Sequence, residues 1–308
     1  MSGRPGPKSR ADVLVFQAGT PEARSDDLVT EEPLEIRLRT AAASNGNAAL
    51  SLQGSPGLSR GRRTVAVTMR TPGADFELAA GFLYGEGVIR DRDEIESIAH
   101  CDDLKVEDSR RFNIVNVDLK SEVLPDLDGL ERHFHTTSAC GVCGKTSLDS
   151  LRFTARAPIP AGPVLRPETL TRLPAKLRSA QGLFSTTGGL HAAGLFDATG
   201  ELLAVREDVG RHNAVDKIVG WAFLGGRLPL SACILMVSGR TSFEILQKAV
   251  MAGIPVVCAV SAPSSLAVSV AREFGVTLIG FLRDERFNVY TGSERLESAS
   301  RSEAHPAR

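Results

Sequence analysis

The sequence predicts an α/β fold in which helices cover both faces of a partly parallel sheet. Two short runs in the C-terminal half, Ala232–Val237 and Val256–Val260, are apolar throughout, as expected of strands that are buried on both sides. Predicted helices of ten or more residues alternate with these runs. In the N-terminal half apolar residues instead alternate at period two, which predicts strands with one buried face.

The elements follow in order from these two patterns. In the N-terminal half we predict strands over residues 35–39, 64–70 and 112–119 and a helix over 75–84. In the C-terminal half we predict helices over 167–181, 211–223, 241–251 and 264–274, and strands over 191–196, 202–206, 232–237, 256–260 and 276–281. The ends of the chain are rich in Gly, Pro, Ser and charge, which is typical of disordered tails.

These elements predict a division of the chain into five parts. They are a disordered tail (1–27), a β-rich subdomain (28–136), a flexible thiol loop (137–146), an α/β domain (147–292) and a second disordered tail (293–308).

The composition excludes several classes of protein. With 36 Lys and Arg residues against 37 Asp and Glu residues among 308, the net charge gives no general attraction to nucleic acid or membranes. Five cysteines, an odd number, do not match a secreted disulfide framework. The N-terminus has no apolar signal segment and no run is long enough to span a membrane. We therefore expect a cytoplasmic protein.

The segment Cys140-Gly-Val-Cys143 is the most informative motif in the chain. Lys145 and the second thiol would each lower the pKa of a cysteine and favour the nucleophilic thiolate. Three interpretations remain open at this point: a nucleophile, a thioredoxin-like redox pair, or a zinc site completed by His133 and His135. The zinc deaminase signature is absent, because no histidine is followed two residues later by glutamate.

Three polar loops follow predicted strands and precede predicted helices, at residues 206–213, 238–242 and 261–265. Ligands collect at such loops in α/β sheets, because helix N-termini there present free N–H groups to anions. The alternatives are a surface ion-pair network of Arg206, Asp208, Arg211 and Asp216 for the first loop, and simple helix capping for the third. His212 could also form a helix-surface pair with Asp216. Cys233 and Cys258 lie in apolar runs and are interpreted as buried hydrophobes.

Five segments together resemble the FdhD family of formate dehydrogenase accessory sulfurtransferases. They occur in the family's order: 138–144 (SACGVCG), 187–193 (TGGLHAA), 206–217 (REDVGRHNAVDK), 238–240 (SGR) and 275–281 (GVTLIGF). The resemblance covers roughly residues 28–292. It implies a three-layer α/β/α sandwich similar to cytidine deaminases, and a homodimer. It also implies a function: sulfur from a cysteine desulfurase is carried as a persulfide to the molybdenum (or tungsten) bis-guanine-dinucleotide cofactor, before the cofactor enters formate dehydrogenase.

The resemblance also implies roles for individual residues. Cys140 would carry the persulfide, with Cys143 assisting or sharing the role. The resemblance points to one cofactor-binding segment, made of Phe281, Leu282, Arg283, Asp284, Glu285 and Arg286. The chemistry of the polar loops adds further candidates, which are Ser238, Gly239, Arg240 and Arg211, with His191 and His212 lining the pocket. Among them the arginines suit the cofactor's pyrophosphates. The chain departs from the family at Ala139, where a second serine is common.

The remaining alternatives are a cofactor-binding chaperone whose thiols bind zinc or clamp the metal, and a thiol-disulfide oxidoreductase.

Overall fold

The computed structural model describes residues 5–40, 61–125, 127, 151, 159 and 161–297. In these residues the chain forms a two-stranded ribbon, a four-stranded sheet and a six-stranded sheet. The mixed α/β class predicted from the sequence is confirmed, whereas the likeness to cytidine deaminases stays a prediction. None of the helices in the described ranges is both long and apolar enough to cross a membrane.

The ribbon is the clearest difference from the sequence prediction. Residues 1–27 are predicted to be a disordered tail, but β1 (Lys8–Gln17) and β2 (Thr20–Val29) pair antiparallel over ten residues each. The turn between them holds Ala18 and Gly19 at φ of 49° and 85°, the left-handed pair that suits a two-residue hairpin. The many charged residues of β2 concealed this hairpin, because they resemble the composition of a disordered segment.

The four-stranded sheet forms the N-terminal subdomain. Its strands are β3 (Glu32–Thr40), β4 (Arg62–Arg70), β5 (Ile95–His100) and β6 (Ile114–Leu119), in the spatial order β4-β3-β6-β5. Helix α1 (Asp75–Gly85) packs on one face, and a short helix α2 (Asp108–Arg111) precedes β6. Leu34, Ile36 and Leu38 alternate along β3 into this core, as the period-two pattern predicts.

The six-stranded sheet forms the C-terminal domain. Its strands are β7 (His191–Phe196), β8 (Leu202–Asp208), β9 (Ile234–Val237), β10 (Val256–Ala259), β11 (Thr277–Arg283) and β12 (Arg286–Thr291). The spatial order is β12-β11-β10-β9-β7-β8, and β9, β10 and β11 run parallel. The helices are α3 (Pro167–Ala180), α4 (Gly182–Thr187), α5 (Arg211–Leu224), α6 (Phe243–Met251) and α7 (Ser265–Glu273).

Both faces of this sheet are buried, as the apolar runs predict. Ile234 and Met236 of β9 join the core under α3, while Leu235 and Val237 join the core under α5, α6 and α7. Strand β12 was not predicted, because its sequence is only partly apolar and follows a charged turn. The predicted C-terminal tail is also ordered as far as residue 297: Arg295 is mostly buried and donates a hydrogen bond to Thr277.

The two domains meet where α1 crosses α5. A Cβ atom on Gly220 would lie 1.8 Å from the Glu77 carbonyl oxygen, and one on Gly81 would lie 1.9 Å from that of Asp216. Glycine at both positions therefore allows the two helix backbones to touch. The N-terminal subdomain is thus packed directly on the helix that begins beside the polar loops.

Candidate functional site

The candidate site lies at the edge of the six-stranded sheet where β9, β10 and β11 end. Helices α5, α6 and α7 begin at this same edge, and β7, which runs antiparallel to β9, starts there. Helix N-termini carry unpaired N–H groups and a partial positive charge. The fold therefore brings the three predicted polar loops to one side of the sheet.

The segment 206–217 runs from the end of β8 into the first turns of α5. Some of its side chains form a buried connection between the two domains. Asp208 is fully buried and forms an ion pair with Lys217, with 2.7 Å between Oδ2 and Nζ. Asp208 also accepts hydrogen bonds from the backbone N–H of Thr71 and Gly210 and from the side chain of Asn213. The alternative of a surface ion-pair network is therefore wrong for Asp208, because its pair with Lys217 lies in the interior.

Further contacts tie this connection to the N-terminal subdomain. Asn213 donates to the carbonyl oxygen of Met69 at 2.8 Å, and Lys217 donates to that of Thr71 at 3.0 Å. Near the middle of α5, Asp216 pairs with the buried Lys248 of α6 at 2.8 Å. Asp216 is therefore not the partner of His212, contrary to the alternative of a helix-surface pair.

Two other residues of the same segment, Arg211 and His212, face the site. Arg211 is the first residue of α5, and its Nε is buried with no hydrogen-bond partner among the described residues. The imidazole Nε2 of His212 lies 2.9 Å from the Ser242 hydroxyl and 3.7 Å from a Glu244 carboxylate oxygen. Burial, reinforced by the charge of Arg211, lowers the pKa of His212 to about 4. His212 is therefore neutral at pH 7, and Arg211 is the cation of this pair.

His191 lies across the Ser238–Gly239 loop from Arg211. The Ser238 hydroxyl accepts a hydrogen bond from the backbone N–H of Ala192 at 2.9 Å, which fixes the loop to the start of β7. A Cβ on Gly239 would lie 3.3 Å from His191 Nδ1 and 3.8 Å from Arg211 Cδ. Glycine thus allows both side chains to approach the loop. Burial, followed by the charge of Arg211, lowers the pKa of His191.

A cleft of about 560 Å³ opens beside His191 and Ser238. Its other walls come from α3, from α4 and from the Gly188–Leu190 segment. The Arg178 guanidinium stacks on the Phe184 ring at 3.9 Å, and both line the cleft. Gln181 also lines it and is 5% exposed, with no side-chain hydrogen bond among the described residues. The volume and the mixture of apolar walls with a few polar groups are typical of a small-ligand site.

The segment 281–286 lies at the same edge, at the end of β11 and two strands away from β9. It comprises the last residues of β11, the turn at Asp284 and Glu285 and the first residue of β12. The Phe281 N–H donates to the Ser261 carbonyl oxygen. Phe281 has a φ of 53°, which is uncommon for a bulky residue, and it lies at the β-bulge between Gly280 and Arg283. Arg283, Asp284, Glu285 and Arg286 are exposed, but the Leu282 side chain is fully buried in the core. Contact between that side chain and a ligand is excluded.

The structure thus groups most of the predicted binding residues but leaves others apart. His191, Arg211, His212, Ser238 and Gly239 come together, Arg240 beside them is exposed, and segment 281–286 lies farther along the edge. Cys140, Cys143, Lys145, His133 and His135 lie outside the described residues.

Among the other cysteines, Cys258 is fully buried, as predicted, and burial raises the pKa of its thiol. Burial also raises the pKa of the half-buried Cys233. Neither thiol has the properties of a nucleophile. The capping interpretation holds for the third loop, where the Ser264 hydroxyl accepts from the Ala267 N–H.

Arg178, Gln181, Phe184 and Glu244 were not predicted from the sequence, whereas Ser242 is the last residue of the predicted polar loop 238–242. Arg178 and Phe184 belong to α3 and α4, and Gln181 is the single residue between these helices, so no local pattern distinguished them from ordinary helix residues. The consecutive glycines Gly188 and Gly189 before His191 were the one available signal, since paired glycines next to a strand often mark a close approach of backbone to ligand.

Comparison with known proteins gives consistent results. The chain matches the FdhD/NarQ family over residues 57–297. It is 53% identical over 290 residues to the sulfur carrier protein FdhD of Streptomyces avermitilis, covering 93% of this chain and 95% of that protein. It is 44% identical over 288 residues to the protein of the same name from Saccharolobus solfataricus, covering 93% and 97%.

A crystal structure described as that of a formate dehydrogenase accessory protein from Desulfotalea psychrophila has the same overall fold. Its TM-score is 0.67 at 25% identity, with 94% of this chain and 99% of that chain covered.

Proposed function

This chain belongs to the FdhD/NarQ family, and we propose that it is a cytoplasmic sulfur carrier for the maturation of formate dehydrogenase. In this proposal a cysteine desulfurase supplies the sulfur, and the acceptor is the molybdenum bis-guanine-dinucleotide cofactor, bound as a substrate. The names of the relatives support the sulfur-carrying part. The name of the structural neighbour supports the link to formate dehydrogenase.

The observation that carries the proposal is a cation at the sheet edge, Arg211, whose buried Nε has no hydrogen-bond partner among the described residues. A buried guanidinium N–H without a hydrogen bond is costly unless a ligand satisfies it. Arg211 presents such a group at the N-terminus of α5, next to a cleft large enough for a nucleotide. The pyrophosphate of a guanine dinucleotide would satisfy both Arg211 and the helix N-terminus.

The cleft also offers suitable contacts for a planar base. The Phe184 ring and the Arg178 guanidinium provide flat surfaces that can stack on a heterocycle. The Gln181 amide offers a donor and an acceptor to the edge of a base. A guanine or pterin ring carries donors and acceptors along one edge, so the residues present fit the cofactor.

The sulfur is acquired by attack of a thiolate on a persulfide. The Cys140 thiolate attacks the outer sulfur of the desulfurase persulfide, the S–S bond breaks, and the desulfurase cysteine leaves as a thiolate. Cys140 then holds the sulfur as its own persulfide. No other oxidant or reductant is needed for this step, because one S–S bond replaces another.

Delivery of the sulfur requires two electrons, and Cys143 can supply them. Its thiolate attacks the inner sulfur of the Cys140 persulfide, which forms a Cys140–Cys143 disulfide and releases the outer sulfur as sulfide. The sulfide replaces an oxygen ligand of the substrate's metal, and the oxygen leaves as water. A cellular dithiol then reduces the disulfide and restores both thiols.

Mass spectrometry of the protein after incubation with a cysteine desulfurase and cysteine tests the proposal. We expect an adduct of about 32 Da, one sulfur atom, on the peptide that contains Cys140, and no such adduct in Cys140→Ala. Cys233→Ala, which removes a half-buried thiol of raised pKa, is the matched control and should keep the adduct. Cys143→Ala should keep the adduct but fail to release sulfide.

Activity in cells and metal content complete the test. Cells that carry Cys140→Ala should make formate dehydrogenase of greatly reduced activity, whereas full activity would contradict the assigned role. Stoichiometric zinc in the purified protein, together with no sulfur adduct, would replace the carrier with a chaperone that clamps a metal.

A further inference from the structure

Glu207 is a residue of the segment 206–217 to which neither the domain connection nor the anion site assigns a role. It lies on β8 between Arg206 and Asp208. Those two side chains point toward the N-terminal subdomain: Arg206 donates to Glu77 of α1 at 2.7 Å, and Asp208 accepts from the backbone N–H of Thr71. Because successive side chains of a strand alternate between its two faces, Glu207 points the other way, toward α4.

The Glu207 carboxylate caps the N-terminus of α4. One of its oxygens accepts the backbone N–H of Leu183 at 3.0 Å, and the other accepts that of Phe184 at 2.7 Å. These are the second and third residues of the helix, whose N–H groups have no partner within it. The residue before the helix, Gln181, supplies no side-chain cap. We call the two hydrogen bonds the Glu207 cap.

Helix α4 depends on this cap because its own packing is weak. The helix has six residues, and none of them is fully buried. A helix of this length is unstable without contacts from the rest of the protein. A carboxylate that bonds the first N–H groups also interacts favourably with the helix dipole. The Glu207 cap therefore fixes the end of α4 that carries Phe184.

Phe184 makes the position of α4 important for the cleft. The Arg178 guanidinium carbon lies 3.9 Å from the centre of the Phe184 ring, and both side chains line the cleft. The same cleft is lined by His191 and Ser238, which lie beside Arg211. The cleft thus has a flat wall on α3 and α4 and a cation near the start of α5. A nucleotide has a part for each, since a base stacks on flat groups and a diphosphate pairs with a cation.

The charges at the two ends of the cleft favour one orientation of such a ligand. At the α4 end the positive charge of Arg178 is offset by the negative charge of Glu207, because both residues contact Phe184. At the α5 end Arg211 and the exposed Arg240 outnumber Glu244. A diphosphate is therefore attracted to the α5 end, which leaves the α4 end for the base.

We propose that Glu207 is a positioning residue for the base of the bound nucleotide, because its cap on α4 holds the Phe184 ring where the base stacks. The inference rests on the proposed function, which makes the ligand a guanine nucleotide. It adds the end of the cleft at which the base binds and the residue that builds this end. Glu207 acts through Phe184 and needs no contact with the ligand.

Binding of guanosine diphosphate and of inorganic pyrophosphate to the full-length protein, measured by calorimetry, tests the inference. Pyrophosphate has the two phosphates without the base. Glu207→Ala should lower the affinity for guanosine diphosphate by about 10-fold or more, the value of one stacked base, and leave the affinity for pyrophosphate unchanged. Glu201→Ala is the control, because Glu201 lies just before β8 and pairs with Lys176 of α3. It should change neither affinity.

Further variants show whether Glu207 acts through Phe184. Phe184→Ala should cause the same selective loss of affinity for guanosine diphosphate. The double variant with Glu207→Ala should bind no more weakly than Phe184→Ala alone, because residues that act as a unit are not additive. Glu207→Gln keeps an oxygen that can accept the N–H groups, and it should bind guanosine diphosphate within about 3-fold of the parent protein.

Glu207→Asp replaces Glu207→Ala if the alanine variant fails to fold. It keeps the charge but is too short to reach both N–H groups, so it should lose affinity for guanosine diphosphate selectively. Equal losses for the two ligands, or no loss, would contradict the inference and leave the proposed function standing. A parent protein that does not bind guanosine diphosphate would contradict both the inference and the proposed acceptor, whereas the sulfur adduct on Cys140 tests the carrier role separately.

Discussion

Two networks of charged residues arise from one stretch of twelve residues, 206–217, and they differ in how their charges are paired. In the buried network, Asp208 and Lys217 meet at 2.7 Å and the backbone and Asn213 supply further hydrogen bonds. In the open network, Arg211 keeps a buried Nε with no partner in the described part of the chain. The paired charges join the domains, whereas Arg211, whose Nε has no partner among the described residues, is available to a ligand.

The helical period explains how one motif serves both purposes. Arg211 and His212 occupy the first turn of α5, where the sheet edge is open. Asn213, Asp216 and Lys217 come later and lie on the buried side of the helix, toward α1 and the sheet. A motif that is specific to a family therefore need not consist of binding residues throughout.

Removal of the charge of Asp208 should have the largest effect on stability. Asp208→Asn keeps the shape of the side chain but leaves the Lys217 ammonium buried without a counter-charge. We expect the free energy of unfolding to fall by about 3–5 kcal/mol, measured by chemical denaturation.

The matched control is Glu297→Gln. It removes an ion pair with Arg166 of 3.2 Å in which both side chains are about half exposed or more, and it should cost at most about 0.5 kcal/mol. Similar losses of unfolding free energy in Asp208→Asn and Glu297→Gln would contradict the conclusion that the Asp208–Lys217 pair stabilises the fold from the interior.

The helix crossing should be the next most sensitive feature of the buried region. Gly220→Ala places a Cβ 1.8 Å from the Glu77 carbonyl oxygen, so α1 and α5 must separate. Overpacking of this kind costs about 1–3 kcal/mol, which thermal unfolding would detect. Gly182→Ala is the control, because a Cβ there meets nothing within 4 Å. Equal melting temperatures for these two variants would show that the backbones do not touch.

The sequence predicted the regular elements well because period and apolarity determine them locally. Strand β7 was predicted with its observed bounds, His191–Phe196, and α5 differed by a single residue. The ribbon was missed because its charged strands gain their order from pairing with each other. The split of residues 206–217 could not be predicted either, since the burial of Asp208 depends on Thr71, which is more than a hundred residues away in sequence.

Removal of the Arg211 guanidinium should affect binding rather than stability. Guanosine diphosphate serves as a probe for half of the proposed cofactor, and its affinity should fall about 10- to 100-fold in Arg211→Gln, the value of one hydrogen bond to a charged group. The free energy of unfolding should change little. Arg227→Gln is the control, because Arg227 stacks on Trp221 near the other end of α5. Equal affinities in both variants would show that Arg211 is not a ligand-binding residue.

The effect of pH on the open network should be the smallest of these effects. Acidification should change the stability of the fold and the affinity for an anion in opposite directions. Burial lowers the pKa of His212 to about 4, below the value near 6.5 of an unfolded chain. The folded state therefore disfavours the charged imidazole, so the contribution of His212 to stability is complete above pH 6.5 and is lost as the pH falls through 4. Protonation would also place a second positive charge beside Arg211 and strengthen the binding of an anion there.

Acidification from pH 6.5 to 4 should thus weaken the fold while it tightens the binding of guanosine diphosphate, and His212→Gln should reduce both changes. Denaturation and ligand titration at a series of pH values measure the two effects separately, and an NMR titration of the imidazole gives its pKa directly. A value at or above 6.5 for His212 would contradict its burial at the site. A loss of stability on acidification without any gain in the affinity for guanosine diphosphate would show that the anion binds away from Arg211 and His212.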